Sequence, residues 1–516
     1  MTLLGACGGD RSLPPVAGGV ALVFELPQGV YDPKGFASVE VVLHEPTGDV
    51  RRSASLGKDG SFDLGAIAPS ESVSVEATLR SDSGAVVGYG RTAMAAAFAG
   101  GSQIVVPVRR PILYFAGTSD HSVQAPTPVQ WIETPATFAD LSVGGRFDGT
   151  AVLDGPAVMM IGAGPGLFMV TQAVDPASGT LTGPAKIVPI SPADHAPQTA
   201  LGGAMTGAVL DGAGSDDGAM LVVGTATQLF AVDTTTGAAT ALADGSFARV
   251  ALVASDTGEL AAIAIKNRGA TTGPCTTTAE LWWAPVTGVT DRSASTAHVI
   301  ATGGFSDIAA DRGHAYYVDA CSGELGEATE TAVRPIRTIS TAGGTSRPTA
   351  LAVSNNQADL GVEIAPATTS LVFASLTTDE SRTLWNESAQ QVLTATDAAN
   401  LGVQRQLDAT AAVFNHLEIG AGGDYVALTT SAHFEGARIA AANFPQMTID
   451  TDELRVFDAA TGGIVERYRS WCDGLLIEAA ADIKNWACTS TAGQTEAAAA
   501  DLEHHISSMS FLFGKK

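Results

Sequence analysis

The chain has 516 residues, 45% of them hydrophobic, with 57 glycines and a net charge of −26 from 28 basic and 54 acidic side chains. That length exceeds one ordinary core, so several domains or a repeat fold are expected. The acid excess, with no basic run longer than Arg51-Arg52 or Arg109-Arg110, argues against nucleic acid as a partner, because phosphate binding needs clustered Lys and Arg. No apolar stretch reaches the roughly 18–20 residues of a membrane-spanning helix. The nearest, residues 85–100, contains Arg91 and reads as strand and loop.

At the N-terminus, Leu4-Gly5-Ala6-Cys7 places Leu three residues before a Cys, with small residues between. This resembles the lipobox of bacterial lipoproteins, where small side chains must fit beside the bond that the signal peptidase cuts. The resemblance implies that Cys7 is acylated and that the protein is an outer-membrane lipoprotein of the cell envelope, facing the periplasm or the exterior. Only Met1 to Leu4 precede the box, fewer than a basic region and an apolar core require, so the signal is expected to begin upstream. Residues 8–19, with Gly8-Gly9 and Pro14-Pro15, are expected to form a flexible tether, so 1–19 is signal remnant plus tether.

Residues 20–110 carry strand signals only. Gly19–Phe24, Ser38–Leu43, Ser61–Leu64, Ser72–Leu79 and Gln103–Val108 run or alternate apolar at strand length. Turn clusters such as Glu45-Pro-Thr-Gly48, Lys58-Asp-Gly60 and Ser81-Asp-Ser-Gly84 separate them. Short strands at this spacing predict a β-sandwich. The stretch Val39–Ile67 resembles the carboxypeptidase-regulatory or transthyretin-like sandwich, which implies a spacer or adhesion unit.

From residue 111 to 516 two phrases recur. One is a strand ending in an Asp-x-x-x-Gly turn: Leu229–Gly237, Leu454–Gly462 and, more loosely, Val174–Gly179. The other is an apolar strand, a turn with Asp, Asn or Gly, and a second apolar strand, at Ala151–Ile161, Ala208–Val223, Ala251–Ile265, Ile308–Val318, Leu351–Ile364 and Leu417–Leu428. Repetition at a mean spacing of about 53 residues, somewhat above the roughly 40–50 of typical blades, points to a β-propeller. The expected fold is all-β: a sandwich, then a propeller of seven blades, with six and eight as alternatives. Ile112–Phe115 could supply a further copy. Ile506–Phe513, after a helical pattern at Glu496–His505, is the expected closing strand. The repeat resembles the bacterial WD-repeat and YVTN-type propellers, although the Trp-Asp dipeptide is absent.

Setting Cys7 aside leaves Cys275, Cys321, Cys472 and Cys488, an even set that suggests disulfides in an oxidising compartment. Three pairings are open. Cys275 with Cys321 would tie adjacent blades, and Cys472 with Cys488 would close a short loop. No Cys-x-x-Cys spacing points to zinc.

Catalytic signatures are sparse. The six tryptophans share no common blade position, and no Gly-x-Ser-x-Gly elbow, His-Glu-x-x-His or P-loop occurs. Lactonase-like propellers work through a cation or histidines in the channel; His314, in Asp311-Arg-Gly-His314, is the best of nine histidines for such a role. The turn Asp211-Gly-Ala-Gly-Ser215-Asp216-Asp217-Gly218 carries oxygen donors at Asp211, Ser215, Asp216 and Asp217. It resembles the calcium loop of integrin-type propeller blades, with Ala213 where such loops hold another acid, and makes calcium the one candidate cofactor. Two functions follow from the sequence. The first is a non-enzymatic surface lipoprotein whose propeller binds a protein, peptide or glycan. The second is a periplasmic or surface hydrolase, lactonase-like, with its site in the channel.

Overall fold

A computed structural model describes residues 11–12, 21–45, 48–58, 70–93, 95–98, 103–119, 129–133, 137–141, 157–175, 178, 180–254, 259–268, 275–286, 297–339, 346–354, 357–364, 370–377, 393–394, 408–437, 447–458, 464–469 and 504–514. Cys7, Cys472, Cys488 and the segment Ser61–Leu64 lie outside them. No helix among the described residues is long and apolar enough to cross a membrane.

The first eight strands are β1 (Arg11–Ser12), β2 (Ala21–Glu25), β3 (Phe36–Glu45), β4 (Gly48–Ser55), β5 (Ser70–Ser81), β6 (Val86–Arg91), β7 (Ala95–Phe98) and β8 (Gln103–Pro107). They form a three-stranded sheet, β1-β2-β8, and a second sheet, β4-β3-β5-β6, with β7 on β5. Alternating residues of β3 and β5 (Val39, Val41, Leu43, Val75, Ala77) meet Phe24 of the smaller sheet in one core, as period-2 patterning requires. Strand β4 has no apolar alternation and is largely exposed. Its pairing along the whole of β3, from Ser38 opposite Ser55 to Glu45 opposite Gly48, makes it a strand.

Seven further sheets follow among the described residues. Blade 1 holds β9 (Ile112–Ser119), β10 (Val129–Glu133) and β11 (Thr137–Leu141). Blade 2 holds β12 (Ala157–Ala163), β13 (Gly166–Val174) and β14 (Leu181–Pro189). Blade 3 is β15 (Val209–Gly214), β16 (Met220–Thr225), β17 (Gln228–Asp233) and β18 (Ala239–Asp244). Blade 4 is β19 (Phe247–Ala254), β20 (Leu260–Lys266), β21 (Ala279–Pro285) and β22 (His298–Gly303). Blade 5 is β23 (Phe305–Asp311), β24 (His314–Asp319), β25 (Glu324–Ala328) and β26 (Val333–Thr338). Blade 6 is β27 (Ser346–Ser354), β28 (Gln357–Ile364), β29 (Ser370–Thr377) and β30 (Leu393–Thr394). Blade 7 is β31 (Asp408–Gly420), β32 (Tyr425–Ala437), β33 (Met447–Asp458) and β34 (Ile464–Arg469). The last strand, β35 (His504–Phe511), returns to pair antiparallel with β9 and completes blade 1 from the inside.

The innermost strands β12, β15, β19, β23, β27, β31 and β35 touch in succession, and β35 touches β12, so the ring closes. The fold is a seven-bladed propeller. His504 and His505, expected at the end of a helical pattern, are strand, because β9 offers them an open edge. In blade 2 the outer position is taken by an irregular segment. Gln198 and Leu201 donate N–H bonds to Pro189 and Ile187, and Met205 bridges Ala185.

The apolar strand-turn-strand phrase marks blade phase well. Five of its copies, from Ala208–Val223 to Leu417–Leu428, fall on the first two strands of blades 3 to 7. These strands are buried on both faces, as in the pattern of β16 and β20, so they read as apolar runs. The Asp-x-x-x-Gly phrase does not mark phase. Asp233 lies between the third and fourth strands of blade 3, whereas Asp175 lies between the second and third of blade 2. The motif follows local turn geometry: Asp233 Oδ1 accepts the N–H groups of Thr235 and Thr236, and Gly237 takes φ +73°.

Antiparallel order sorts the connections. Turns joining the first and second strands, and the third and fourth, lie at one end of the ring, the capped end. Turns joining the second and third strands, and links between blades, lie at the other, the open end.

Candidate functional site

The channel inside the ring is the natural place to look for chemistry. Each inner strand carries a one-residue bulge against its blade partner, at Val158, Leu210, Ala248, Ser306, Thr349, Asn415 and Ser507. The residue after the bulge and the one two further on then face the next blade's inner strand, whose edge N–H groups would otherwise be unpaired.

At five of those positions an oxygen-bearing side chain accepts such an N–H; Arg249, a donor only, meets Asp307 of the next blade instead. Asp211 Oδ2 accepts from Val250 N at 2.9 Å, Asp307 Oδ2 from Leu351 N at 2.9 Å and Ser508 Oγ from Met160 N at 3.1 Å. One step along, Ser510 Oγ accepts from Gly162 N at 2.8 Å, and Glu418 Oε1 accepts from Phe511 N at 2.7 Å. Glu418 also takes the Ser510 hydroxyl at 3.0 Å, and Asp307 meets Arg249 Nε at 3.2 Å. The rule is the same at all five: one blade's side chain holds the neighbouring blade's backbone.

Between these strands lies a small cavity, partly open to solvent. Small and apolar residues (Gly162, Gly212, Ala251, Ala310, Met159) supply much of its wall, and His416, Asp211, Glu418, Ser508 and Ser510 supply the polar groups. Among the described residues, no three His, Cys, Asp or Glu side chains come together in a metal-holding group.

The sandwich sits against one end of the ring. Turns of several blades at the capped end meet it: Asp216 of blade 3 and Asp311 of blade 5 both reach Arg91, and Asp424 of blade 7 reaches Arg80. Tyr89, buried, packs edge-on against Phe513 with ring centroids 5.9 Å apart. It also covers Gly422, where a Cβ would lie 2.4 Å from its ring, so only glycine fits. Val30 N donates to Pro192 O of blade 2 at 3.1 Å.

The structure disperses the four residues of the candidate calcium turn. Asp211 points between blades, Asp216 pairs with Arg91, and Ser215 donates to Asp217 Oδ1 at 2.6 Å within the β15–β16 turn. Asp217 and Ser215 also cap the N–H groups of Ala219 and Met220. His314 begins a second strand, not an inner one. It is 56% exposed and binds Glu327 Oε1 at 2.7 Å, outside the residues lining the cavity. Burial opposes ionisation of Glu327, but Arg334 and His314 hold its carboxyl below the usual range. Cys275 and Cys321 are paired, with Cα atoms 5.5 Å apart, joining open-end loops of blades 4 and 5.

Sequence reasoning passed over His416, Glu418, Ser508 and Ser510. They sit in the apolar runs of β31 and β35, where a polar residue interrupting the run was the available signal.

No described protein family matches the sequence, and no curated protein does. Solved structures similar to this chain include an oligogalacturonate lyase in complex with manganese, at 13% identity over 58% of this chain and 73% of that one, TM-score 0.31. A candidate 6-phosphogluconolactonase of Bacteroides fragilis is 11% identical over 69% of this chain and 93% of that one, TM-score 0.36. Hsv2 of Kluyveromyces lactis is 6% identical over 66% and 98%, TM-score 0.35. At these scores the likeness carries no argument about chemistry; the architecture rests on the sheet order and the closure of the ring.

Proposed function

We propose that this chain is a non-enzymatic binding or scaffold protein of the bacterial cell envelope, held by a lipid on Cys7, whose propeller offers its open end to a protein, peptide or glycan. The observation that carries this reading is the use made of the channel's polar side chains. A general acid or base must be free to meet a substrate proton, whereas Asp211, Asp307, Glu418, Ser508 and Ser510 are hydrogen-bonded to the backbone of the next blade. The sandwich, next to the tether in sequence, covers the capped end and leaves the open end as the face with loops to spare. The reading calls for no cofactor.

The hydrolase alternative rests on His416, the histidine in the cavity wall. One experiment separates the two. The protein is assayed against lactones and aryl esters with and without divalent cations, and its binding is measured on glycan and peptide arrays. The binding reading expects no turnover above buffer and array hits that survive His416→Ala but are lost with Thr277→Arg on an exposed open-end loop. Turnover abolished by His416→Ala would assign the channel to a hydrolase. The anchor is checked by intact mass after expression behind a complete lipoprotein signal: wild type should carry a diacylglyceryl mass that Cys7→Ser lacks.

A further inference from the structure

The strongest unassigned feature is the charge cluster between sandwich and propeller. Arg91, the last residue of β6, is 2% exposed. Its Nη1 donates to Asp311 Oδ1 at 3.0 Å, its Nη2 lies 3.1 Å from Asp216 Oδ2, and Glu76 Oε1 of β5 is 3.8 Å away. Asp216 and Asp311 belong to blades 3 and 5, with blade 4 between them, so one guanidinium ties turns that the ring itself holds apart. Arg312 pairs its Nε with Asp311 Oδ2 at 3.3 Å and carries its Nη1 on to His44 Nδ1 and, at 3.4 Å, Asp49 Oδ1, both in the sandwich. A third contact, Arg80 Nη2 to both oxygens of Asp424 at 3.1 Å, pins blade 7.

We propose that the sandwich is an electrostatically latched plug: Arg91, backed by Arg80 and Arg312, clamps the capped-end turns of blades 3, 5 and 7 and closes that mouth of the channel. The latch depends on Arg91 because of how charge is distributed. Three carboxylates from three elements share its guanidinium, and removing it takes the common cation from Asp216, Asp311 and Glu76, leaving Arg312 Nε beside Asp311 at 3.3 Å and His44 Nε2 beside Glu76 at 3.2 Å. Removing one partner from a buried ion pair is costly, and Arg91 is the group that joins both blades to β5 and β6, so its loss releases the inner contact of the plug. Arg80 and Asp424 are each about a third exposed, at 30% and 28%, and make a weaker, outer contact.

Hydrogen exchange read by mass spectrometry tests this on the whole chain. In Arg91→Gln the turns at Ser215–Ala219, Asp311–His314 and Gly420–Tyr425 should exchange faster together, by about tenfold or more. The open-end turn Asp319–Gly323 should keep its rate. Unchanged exchange, or a rise confined to the sandwich, would overturn the proposal. If Arg91→Gln does not fold, Arg80→Gln provides the same test at lower amplitude: faster exchange at Gly420–Tyr425 supports the latch, and an unchanged rate there overturns it.

Discussion

Asp319 and Asp233 open turns of identical form, yet they do different amounts of work. Asp319 Oδ1 accepts the N–H groups of Cys321 and Ser322, and its Oδ2 accepts Gly304 N from the preceding inter-blade link, all on a nearly buried carboxylate. Asp233 caps only its own turn, and the N–H groups of Thr236 and Thr235 hold its carboxyl below the usual range despite some burial. Asp319-Ala-Cys-Ser-Gly323 is legible as the same phrase once the geometry is known; that one copy also stitches two blades was not, because Gly304 is 15 residues away. A buried aromatic cluster shows the same limit. His195, at φ +59°, shares a hydrogen bond of 2.7 Å between its Nδ1 and the Tyr114 hydroxyl and stacks on Trp131 at 4.2 Å. Burial pushes His195 below its ordinary value and raises Tyr31 to about 12. A histidine depressed in the native state is protonated first in the unfolded chain. Stability is therefore full above the unfolded value near 6.5 and falls as pH drops toward the native one. Between about pH 7 and pH 5 the melting temperature of wild type should fall more steeply than that of His195→Gln; parallel profiles would mean that His195 does not contribute.

At the scale of elements, the inner strands explain why the ring holds. Their bulges turn alternate side chains toward the next blade, and polar ones cap its edge. Glu418 has the most consequential contact of this kind, since it joins blade 7 to β35, the strand that closes the ring. Glu418→Ala removes a charged acceptor from Phe511 N and the Ser510 hydroxyl and should cost about 2–3 kcal/mol in urea unfolding, with Glu418→Gln, which keeps one carbonyl oxygen, costing less. Equal, near-zero effects of both variants would remove Glu418 from closure. The first two strands of blades 3 to 7 were readable because both faces are buried and the sequence runs apolar. The bulges were not, since an extra residue shows only against a partner strand. Strand β4 was missed because Gly48–Ser55 offers the core only Val50 and Ala54, its order coming from β3. The loop at Asp211–Asp217 looked like one ligand set because its donors are close in sequence. The bulge at Leu210 and the approach of Arg91 send them to different neighbours.

For the whole molecule, sandwich and propeller are each visible in sequence pattern, but their docking is not. Arg91 and Asp311 are 220 residues apart and Arg80 and Asp424 are 344 apart, with no local pattern to join them. The proposed function rests on that docking, which sets the sandwich against the capped end of the ring. Scanning calorimetry of wild type beside Arg91→Gln measures it most directly. A sandwich clamped on three blades should unfold with the propeller in one transition in wild type, and Arg91→Gln should split off an earlier transition of sandwich size. Two independent transitions in wild type, unmoved by Arg91→Gln, would contradict a docked plug and the closed mouth that depends on it.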